Sequence, residues 1–310
     1  MNNFYLNYDT LKNETINTMK LTTRALLSAL FMLAIACSPQ KKEEKQSSEE
    51  FDKAEKEVAE QVKDVIAEMP APSEIPYLLM ETGAEFSPSL LHDLSKVNSY
   101  STKDKAALNL GAYATDVAYL STYSKSQDAL KYISEVKPLA DQLSLSNSFS
   151  PQMVQRFESN LGNTDSLVMI VNEAVSQAEK HLKSNDRPKV AALLLAGSFV
   201  EGLYIATALI ENYPDDLLPE EAKQTILVPL VTVVLKQEEP LMDLIHLLKS
   251  VTKDETISKL VSDLNGLLDE YKKLDIQKLM DEGRGDLLLK DEALDNLTNK
   301  AGQIRDHITG

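Results

Sequence analysis

The sequence predicts an all-α protein, and three observations support this prediction. Glycine accounts for only 10 of 310 residues, so few positions favour turns over helix. Alanine, leucine, lysine and glutamate are abundant, and these residues lose little free energy on entering a helix. Apolar residues recur three and four positions apart from residue 50 onward, between residues that commonly cap helices. We therefore expect stacked antiparallel helix pairs that form a bundle or a short solenoid.

The predicted helices follow one another with capping residues or prolines between them. Thr102, Ser126 and Ser150 are the expected N-caps, and Pro151 occupies a first helical position, which suits proline. Pro138 is expected to kink the helix that contains it. The predicted helical segments cover residues 51–69, 76–83, 87–97, 102–123, 126–143, a segment beginning at 151, 164–181, 186–212, 219–236, 239–251, 255–273 and 287–308.

Two apolar segments allow a second interpretation. Residues 225–235, TILVPLVTVVL, are rich in β-branched side chains, which favour a strand. We predict a buried helix instead, because Pro229 would disrupt a central strand and a lone strand would have no partner. Residues 190–210 are apolar over a length that could cross a membrane. Since Glu201 within them would be costly in lipid, we predict a central helix of a folded domain.

The chain shows a weak internal similarity, because a displacement of 86 residues pairs Gly111 with Gly197 and matches their surroundings. This pattern suggests two stacked helical modules, at about residues 100–185 and 186–273. Chance similarity between helices rich in alanine and leucine is the alternative. We expect Gly111 and Gly197, like Gly202, to allow close helix packing rather than the approach of a ligand.

The N-terminal region contains a short basic segment and then a short apolar one. Lys20 and Arg24 precede residues 25–36, ALLSALFMLAIA, which carry no charge. Twelve residues suit a signal peptide and fall short of the roughly 20 that a membrane-spanning helix needs. Because the first eighteen residues are polar and partly acidic, we predict that residues 1–36 hold a signal peptide whose true start is Met19.

The apolar segment ends at Ala34-Ile35-Ala36-Cys37, and Cys37 is the sole cysteine of the chain. This arrangement resembles the lipobox of bacterial lipoproteins, in which small residues precede an invariant cysteine. The lipobox prefers leucine where this chain has Ala34. The resemblance implies cleavage before Cys37, a thioether-linked diacylglycerol on its side chain and acylation of its new amino group. Two or more acyl chains anchor a protein stably. The alternative is an ordinary secretory signal with an unmodified cysteine.

Residues 37–49 are polar and charged, and we predict that they form a disordered tether between the lipid and one folded domain, residues 50–310. The triplet Lys42-Glu43-Glu44 resembles the short acidic export signal of surface lipoproteins in Bacteroidetes-type bacteria. We therefore expect a lipid-anchored protein of the bacterial cell envelope, at the outer membrane. The sequence leaves open whether the domain faces the periplasm or the outside.

Two phrases of the helical region, GAYATDVAYLSTY and LLLAGSFVEGLYIATA, add a second resemblance. Together with the N-terminal layout, they are similar to a group of uncharacterised helical lipoproteins from Bacteroidetes-type bacteria. This resemblance covers most of the mature chain. It implies an all-helical architecture and a location in the envelope, and it implies no functional site.

The charge and the motifs exclude several classes of function. A formal net charge of −16 without a cluster of basic residues argues against nucleic-acid binding. The chain has no Gly-x-Ser-x-Gly, no phosphate-binding glycine loop and no His-Glu-x-x-His motif. The histidines, His92, His181, His246 and His307, are far apart, so we expect them at the surface or at helix ends. We expect neither a metal nor a cofactor.

Asp116 and Glu201 are the strongest candidates for a special site, because each interrupts an otherwise apolar helix and a buried unpaired carboxylate is costly. They could line a polar pocket between stacked helices, with Tyr113, Tyr119 and Tyr204 on the same segments. The alternative is that each acid is paired within a structural network or faces a groove at the surface.

Three hypotheses for the function follow. The first is a membrane-tethered helical domain that binds or scaffolds another envelope protein, a peptide or a small ligand. The second is a hydrolase-like enzyme whose site is assembled around Asp116, Arg156 and Glu201. The third is a structural envelope protein without a pocket. Convergence of those residues in a deep pocket would favour the enzyme, whereas their dispersal or pairing would favour the first hypothesis.

Overall fold

The computed structural model describes residues 71–185, 187–211, 220–274 and 292–310. Over these residues the chain forms α-helices and short 3₁₀ turns and contains no strand, which confirms the predicted all-α class. The predicted signal peptide, Cys37, the tether and the predicted helix over residues 51–69 lie outside the described residues.

The helices of the described chain are α1 (Glu74–Glu81), α2 (Lys103–Thr122), α3 (Ser126–Glu135), α4 (Lys137–Gln142), α5 (Pro151–Glu158), α6 (Thr164–Ser184), α7 (Pro188–Glu211), α8 (Glu220–Leu235), α9 (Glu238–Ser250), α10 (Glu255–Tyr271) and α11 (Glu292–Thr309). Three 3₁₀ turns cover Pro88–Leu90, Leu94–Ser99 and Ser146–Phe149. All of these elements belong to one compact unit that spans residues 50–310.

Side-chain hydrogen bonds fix the starts of two helices as the sequence predicts. The Thr102 hydroxyl accepts from the Lys105 N–H at 3.2 Å before α2, and the Ser150 hydroxyl accepts from the Met153 N–H at 3.3 Å before α5. Ser126 differs from the prediction, because it is the first residue of α3 and its hydroxyl donates to a distant backbone carbonyl 2.7 Å away.

Proline acts differently at two positions. The predicted helix over residues 126–143 is two helices, α3 and α4, which meet at Val136. Pro138 lies in the first turn of α4, where its missing N–H leaves no hydrogen bond unmade, so it suits a helix start rather than a kink. By contrast, α8 continues through Pro229, which confirms the prediction that this β-branched segment is helical.

The centre of the domain is formed by α2 and α7, which run parallel to each other. Near their N-terminal ends, the Lys189 ammonium lies 2.6 Å from the Asp104 carboxylate. Further along both helices, the hydroxyl oxygens of Thr115 and Ser198 lie 2.9 Å apart. The sequence predicts antiparallel packing for helices that follow one another in the chain. Helices α2 and α7 are not such a pair, because four other helices lie between them in the chain.

Glycines allow the close approach of α2 and α7. A Cβ atom at Gly111 would lie 1.9 Å from the carbonyl oxygen of Leu194, and one at Gly197 would lie 1.8 Å from that of Leu108. The two contacts are reciprocal: each glycine of one helix meets the backbone of the other helix. Gly111 and Gly197 are also the positions that coincide when the sequence is displaced by 86 residues. A Cβ atom at Gly202 would approach a side-chain carbon of α1 to 3.0 Å. These glycines serve packing, as the sequence predicts.

Helix α7 is, within the described residues, the one helix long and apolar enough to cross a membrane. Within its most apolar window, 89% of the residues are buried inside the domain. Helices α1, α6, α8, α9 and α11 all pack against it, in addition to α2. Burial in the core therefore accounts for its composition.

Candidate functional site

The parallel packing of α2 and α7 brings Asp116 and Glu201 into the same part of the core. Their side chains are almost completely inaccessible, with residue exposures of 0% and 1%. They are close enough that the Glu201 charge contributes to raising the pKa of Asp116, after burial itself. The sequence predicted these two acids as unusual, and the structure places them together.

Glu201 is paired with Arg305, which α11 contributes. The guanidinium group donates two hydrogen bonds, each 3.1 Å long, to the two carboxylate oxygens. The same guanidinium group lies over the ring of Tyr204, 4.5 Å from its centroid. Burial raises the pKa of Glu201, and Arg305 opposes this effect by stabilising the charged form. Two of the predicted pocket residues, Glu201 and Tyr204, are therefore partners of a partly buried arginine.

Asp116 has no such cation bonded to it. One carboxyl oxygen, Oδ2, accepts a hydrogen bond from the backbone N–H of His92 at 3.0 Å. The other, Oδ1, is buried and has no hydrogen-bond partner among the described residues. Burial and the nearby Glu201 carboxylate raise the pKa of Asp116 well above its usual range, so this site favours the neutral acid.

Several polar side chains around these acids hold one segment without α-helix, residues 84–93, which we call the strap. A segment packed against a core must satisfy its backbone polar groups. Four tyrosine hydroxyl groups, from α2, α3 and the turn between them, bond these backbone groups. Tyr123 donates to Ala84 O and Tyr119 accepts from Ser87 N, both at 2.9 Å. Tyr132 donates to His92 O at 2.9 Å, and Tyr113 donates to Asp93 O at 2.8 Å. The hydroxyl groups of the predicted pocket residues Tyr113 and Tyr119 are thus bonded to the backbone of the strap.

His92 is buried, with 1% of its surface exposed, so the prediction of a surface or helix-end position is wrong for this residue. Its ring stacks on Tyr113, with 4.3 Å between ring centroids. Burial, and secondly the charge of Arg305, lower the pKa of His92 to about 3. The ring is therefore neutral at physiological pH. In the chain, His92 lies between the 3₁₀ turns Pro88–Leu90 and Leu94–Ser99. Because this part of the chain is not an α-helix, the spacing of apolar residues does not predict that His92 is buried.

The other histidines lie where the sequence predicts. His181 is in the last turn of α6, and His246 and His307 are exposed. Within the described residues, no group of three or more histidine, cysteine or acidic side chains is arranged to hold a metal ion.

The C-terminal end of α11 is held beside His92. Helix ends leave backbone carbonyls without partners inside the helix. Tyr100 donates to Thr309 O at 3.0 Å, and Asn109 donates to Ile308 O at 2.9 Å. His92 Nε2 lies 2.8 Å from the Tyr100 hydroxyl and 3.2 Å from the Asn109 amide oxygen. Because Tyr100 donates its hydrogen to Thr309 O and the Asn109 oxygen can only accept, this network assigns the ring proton to Nε2.

Arg156 lies outside this cluster. It is exposed on α5 and pairs with Glu173 of α6 at 2.9 Å. The enzyme hypothesis placed Arg156 with Asp116 and Glu201, and the structure does not bring them together. Sequence reasoning instead missed Arg305, although its position on the apolar face that α11 buries was a usable signal.

Three of the recesses on the described part of the chain are lined by neither Asp116 nor Glu201. The first is apolar, about 30 Å³, and includes Tyr113. The second is polar, about 90 Å³, and surrounds Arg156. The widest, about 270 Å³, lies between α2, α10 and α11, and we call it the α10–α11 groove. Its lining combines the apolar side chains Leu108, Leu260, Ile304 and Ile308 with the polar or charged Lys105, Glu255, Thr256, Lys259, Asp263 and His307.

The buried cluster therefore has the features of a structural network. A catalytic site needs a nucleophile or base that a substrate can reach. Here the carboxylates are enclosed, Glu201 is bonded to Arg305, and the tyrosines bond the strap. No known protein family matches the chain, and neither a curated protein nor a solved structure is significantly similar to it.

Proposed function

We propose that this chain is a lipid-anchored protein of the bacterial cell envelope, at the outer membrane, whose helical domain binds or scaffolds another envelope protein or a peptide. The resemblance of residues 34–37 to a lipobox supports the anchor, and the polar segment that follows suits a tether. The net charge of −16 argues against nucleic acid as a partner.

The pairing of the buried polar groups is the observation that favours a binding protein over an enzyme. Glu201 is held by Arg305, and Asp116 accepts from the strap. Both acids are almost completely inaccessible, and neither lines any of the three recesses described above. Pairing within the core was the outcome expected of a non-catalytic domain, so no observation favours the hydrolase-like alternative.

The α10–α11 groove is the surface of the described chain that best suits a partner. Its floor is apolar, and exposed charged side chains such as Lys105 and Lys259 stand around it. Apolar centres with polar rims are typical of protein and peptide interfaces. A photo-reactive residue replacing Lys259 should cross-link a partner in native membranes, whereas one replacing the exposed Lys180 on α6 should not. Equal cross-linking from both positions would contradict a role for the groove.

The anchor is tested by comparing the wild-type chain with a Cys37→Ala variant in a bacterial host. The wild type should incorporate labelled palmitate and sediment with membranes. The variant should lose the label and appear in the soluble fraction. If the variant remains membrane-bound, the proposal is wrong in its central claim.

A further inference from the structure

The buried cluster contains two acids and a single bonded cation. Arg305 uses its Nε and Nη2 groups on Glu201. Asp116, beside them, receives only the backbone N–H of His92. If both acids were ionised, one negative charge would be buried without a cation bonded to it, which is strongly unfavourable. The geometry therefore places a proton on the acid that lacks the arginine, Asp116.

His92 is in the converse situation. Its ring lies flat on Tyr113, and its Nε2–H is directed at the oxygens of Tyr100 and Asn109. A second ring proton would bury a positive charge near Arg305 and Lys96, both of which disfavour it. His92 is thus held without the proton that it readily gains in an unfolded chain at mildly acidic pH.

The ionisable groups that face this pair come from every element around it. They are Tyr113 and Tyr119 on α2, Tyr132 on α3, Glu201 and Tyr204 on α7, Arg305 on α11, and Asp93, Lys96 and Tyr100 in the strap and the turn that follows it. Burial raises the pKa values of these tyrosines, so they stay neutral. Hydrogen bonds from Ser95 lower the pKa of Asp93, so it stays charged. These groups do not substitute for either member of the pair.

We propose that Asp116 and His92 form a proton-compensating pair. The folded chain holds one proton on Asp116 and a neutral ring on His92. Unfolding at weakly acidic pH releases the first proton and adds one to His92. The two exchanges cancel, so this junction between the strap, α2 and α11 adds no net pH dependence to the free energy of unfolding in that range.

The signs of the two contributions are opposite. The pKa of Asp116 is raised on folding, so its stabilising contribution is complete below pH 3.8 and is lost as the pH rises. The pKa of His92 is lowered to about 3, so its contribution is complete above pH 6.5 and is lost as the pH falls. Between these limits each residue alone would change the unfolding constant about ten-fold per pH unit, in opposite directions.

The test is a set of denaturant unfolding curves of the full chain at pH 4.5, 5.25 and 6.0. The variants are Asp116→Asn, which keeps an oxygen for the His92 N–H, His92→Gln, which keeps a side-chain N–H donor, and the double variant. His246→Gln, at an exposed histidine of α9, is the control. Each unfolding constant is divided by that of the wild type at the same pH.

We expect the Asp116→Asn ratio to fall about ten-fold per pH unit as the pH rises. The His92→Gln ratio should fall by a similar factor as the pH falls. The ratios for the double variant and for His246→Gln should not change with pH. Single-variant ratios that are constant, or that change in the same direction, would overturn the proposal.

A second measurement on the wild type keeps the proposal testable if a variant does not fold. Nuclear magnetic resonance of the His92 ring nitrogens at pH 5 should show a neutral ring with its proton on Nε2. The carboxyl carbon shift of Asp116 at the same pH should be that of a protonated acid. A doubly protonated His92 or an ionised Asp116 would refute the pair.

Discussion

Glu201 and Asp116 show how neighbours decide what a buried carboxylate does. Both lie in apolar helices and both are inaccessible to solvent. Glu201 meets the fork of Arg305, which matches its two oxygens and stabilises its charged form. Asp116 meets a single backbone N–H, which does not balance a full charge. A buried carboxyl group is therefore an ion-pair partner at one position and a neutral acceptor at the other.

Breaking the buried ion pair should be costly. Glu201→Gln leaves the partly buried Arg305 without its bonded counter-charge, and we expect a loss of about 3–5 kcal/mol in the free energy of unfolding. Urea denaturation at pH 7 measures this change. Glu173→Gln, which removes the exposed partner of Arg156, is the matched control and should have little effect. Equal losses in the two variants would contradict the structural role of the Glu201 pair.

The hydroxyl groups that hold the strap should also be measurable. Tyr132→Phe leaves the buried carbonyl of His92 without its donor, so we expect a loss of about 1–3 kcal/mol in stability. Thermal or urea unfolding measures this loss. Tyr77→Phe, at an exposed tyrosine of α1, is the control. If both variants unfold at the wild-type midpoint, the hydrogen bond to the strap has no energetic role.

The sequence predicted the unusual acids and not their partners. A carboxylate in an apolar helix is visible from composition alone, as for Asp116. Arg305 is 104 residues away from Glu201, and no local pattern links the two. His92 lies in a non-helical segment, where periodicity does not indicate burial. The partners depend on tertiary packing, which brings the strap and α11 onto α2 and α7.

At the scale of elements, the crossing of α2 and α7 depends on two small residues. Helix axes approach most closely where a glycine replaces a larger side chain. The reciprocal contacts of Gly111 and Gly197 fix the register of the two helices, and this register brings Asp116 beside Glu201.

Gly111→Ala should therefore separate α2 from α7. Its Cβ atom would lie 1.9 Å from the carbonyl oxygen of Leu194, and backbone atoms cannot move aside locally. We expect a loss of about 3 kcal/mol or more, as in overpacked cores, measured by the urea midpoint. Gly302→Ala on α11 is the matched control, since no atom lies within 4 Å of its Cβ position. That control should gain roughly 0.5–1 kcal/mol from helix propensity. Similar losses in both variants would contradict the close crossing.

The boundaries of elements were predicted less well than their existence. Pro151 and Ser150 start α5 as expected, because both signals are local. The break between α3 and α4 at Val136 was not predicted, because Pro138 suits either a kink or a helix start. Only the packing of both short helices against α2 distinguishes these outcomes.

At the scale of the whole molecule, the apolar core belongs to a folded domain, and the lipid anchor that we propose lies at Cys37, in another part of the chain. Helix α7 is buried by other helices, so its hydrophobicity is used within the domain. We therefore propose that membrane attachment depends on Cys37 rather than on α7. The composition and the spacing of apolar residues predicted the all-α class. They did not predict the parallel packing of α2 and α7, because that packing depends on the helices between them in the chain.

The most direct test of this account is mass spectrometry of the N-terminal peptide of the mature protein, extracted from membranes. We expect a peptide that begins at Cys37 and carries the mass of a diacylglycerol and an amide-linked acyl chain. The Cys37→Ala variant provides the unmodified reference. A peptide that retains residues of 1–36, or an unmodified Cys37 in the membrane fraction, would contradict the lipid anchor.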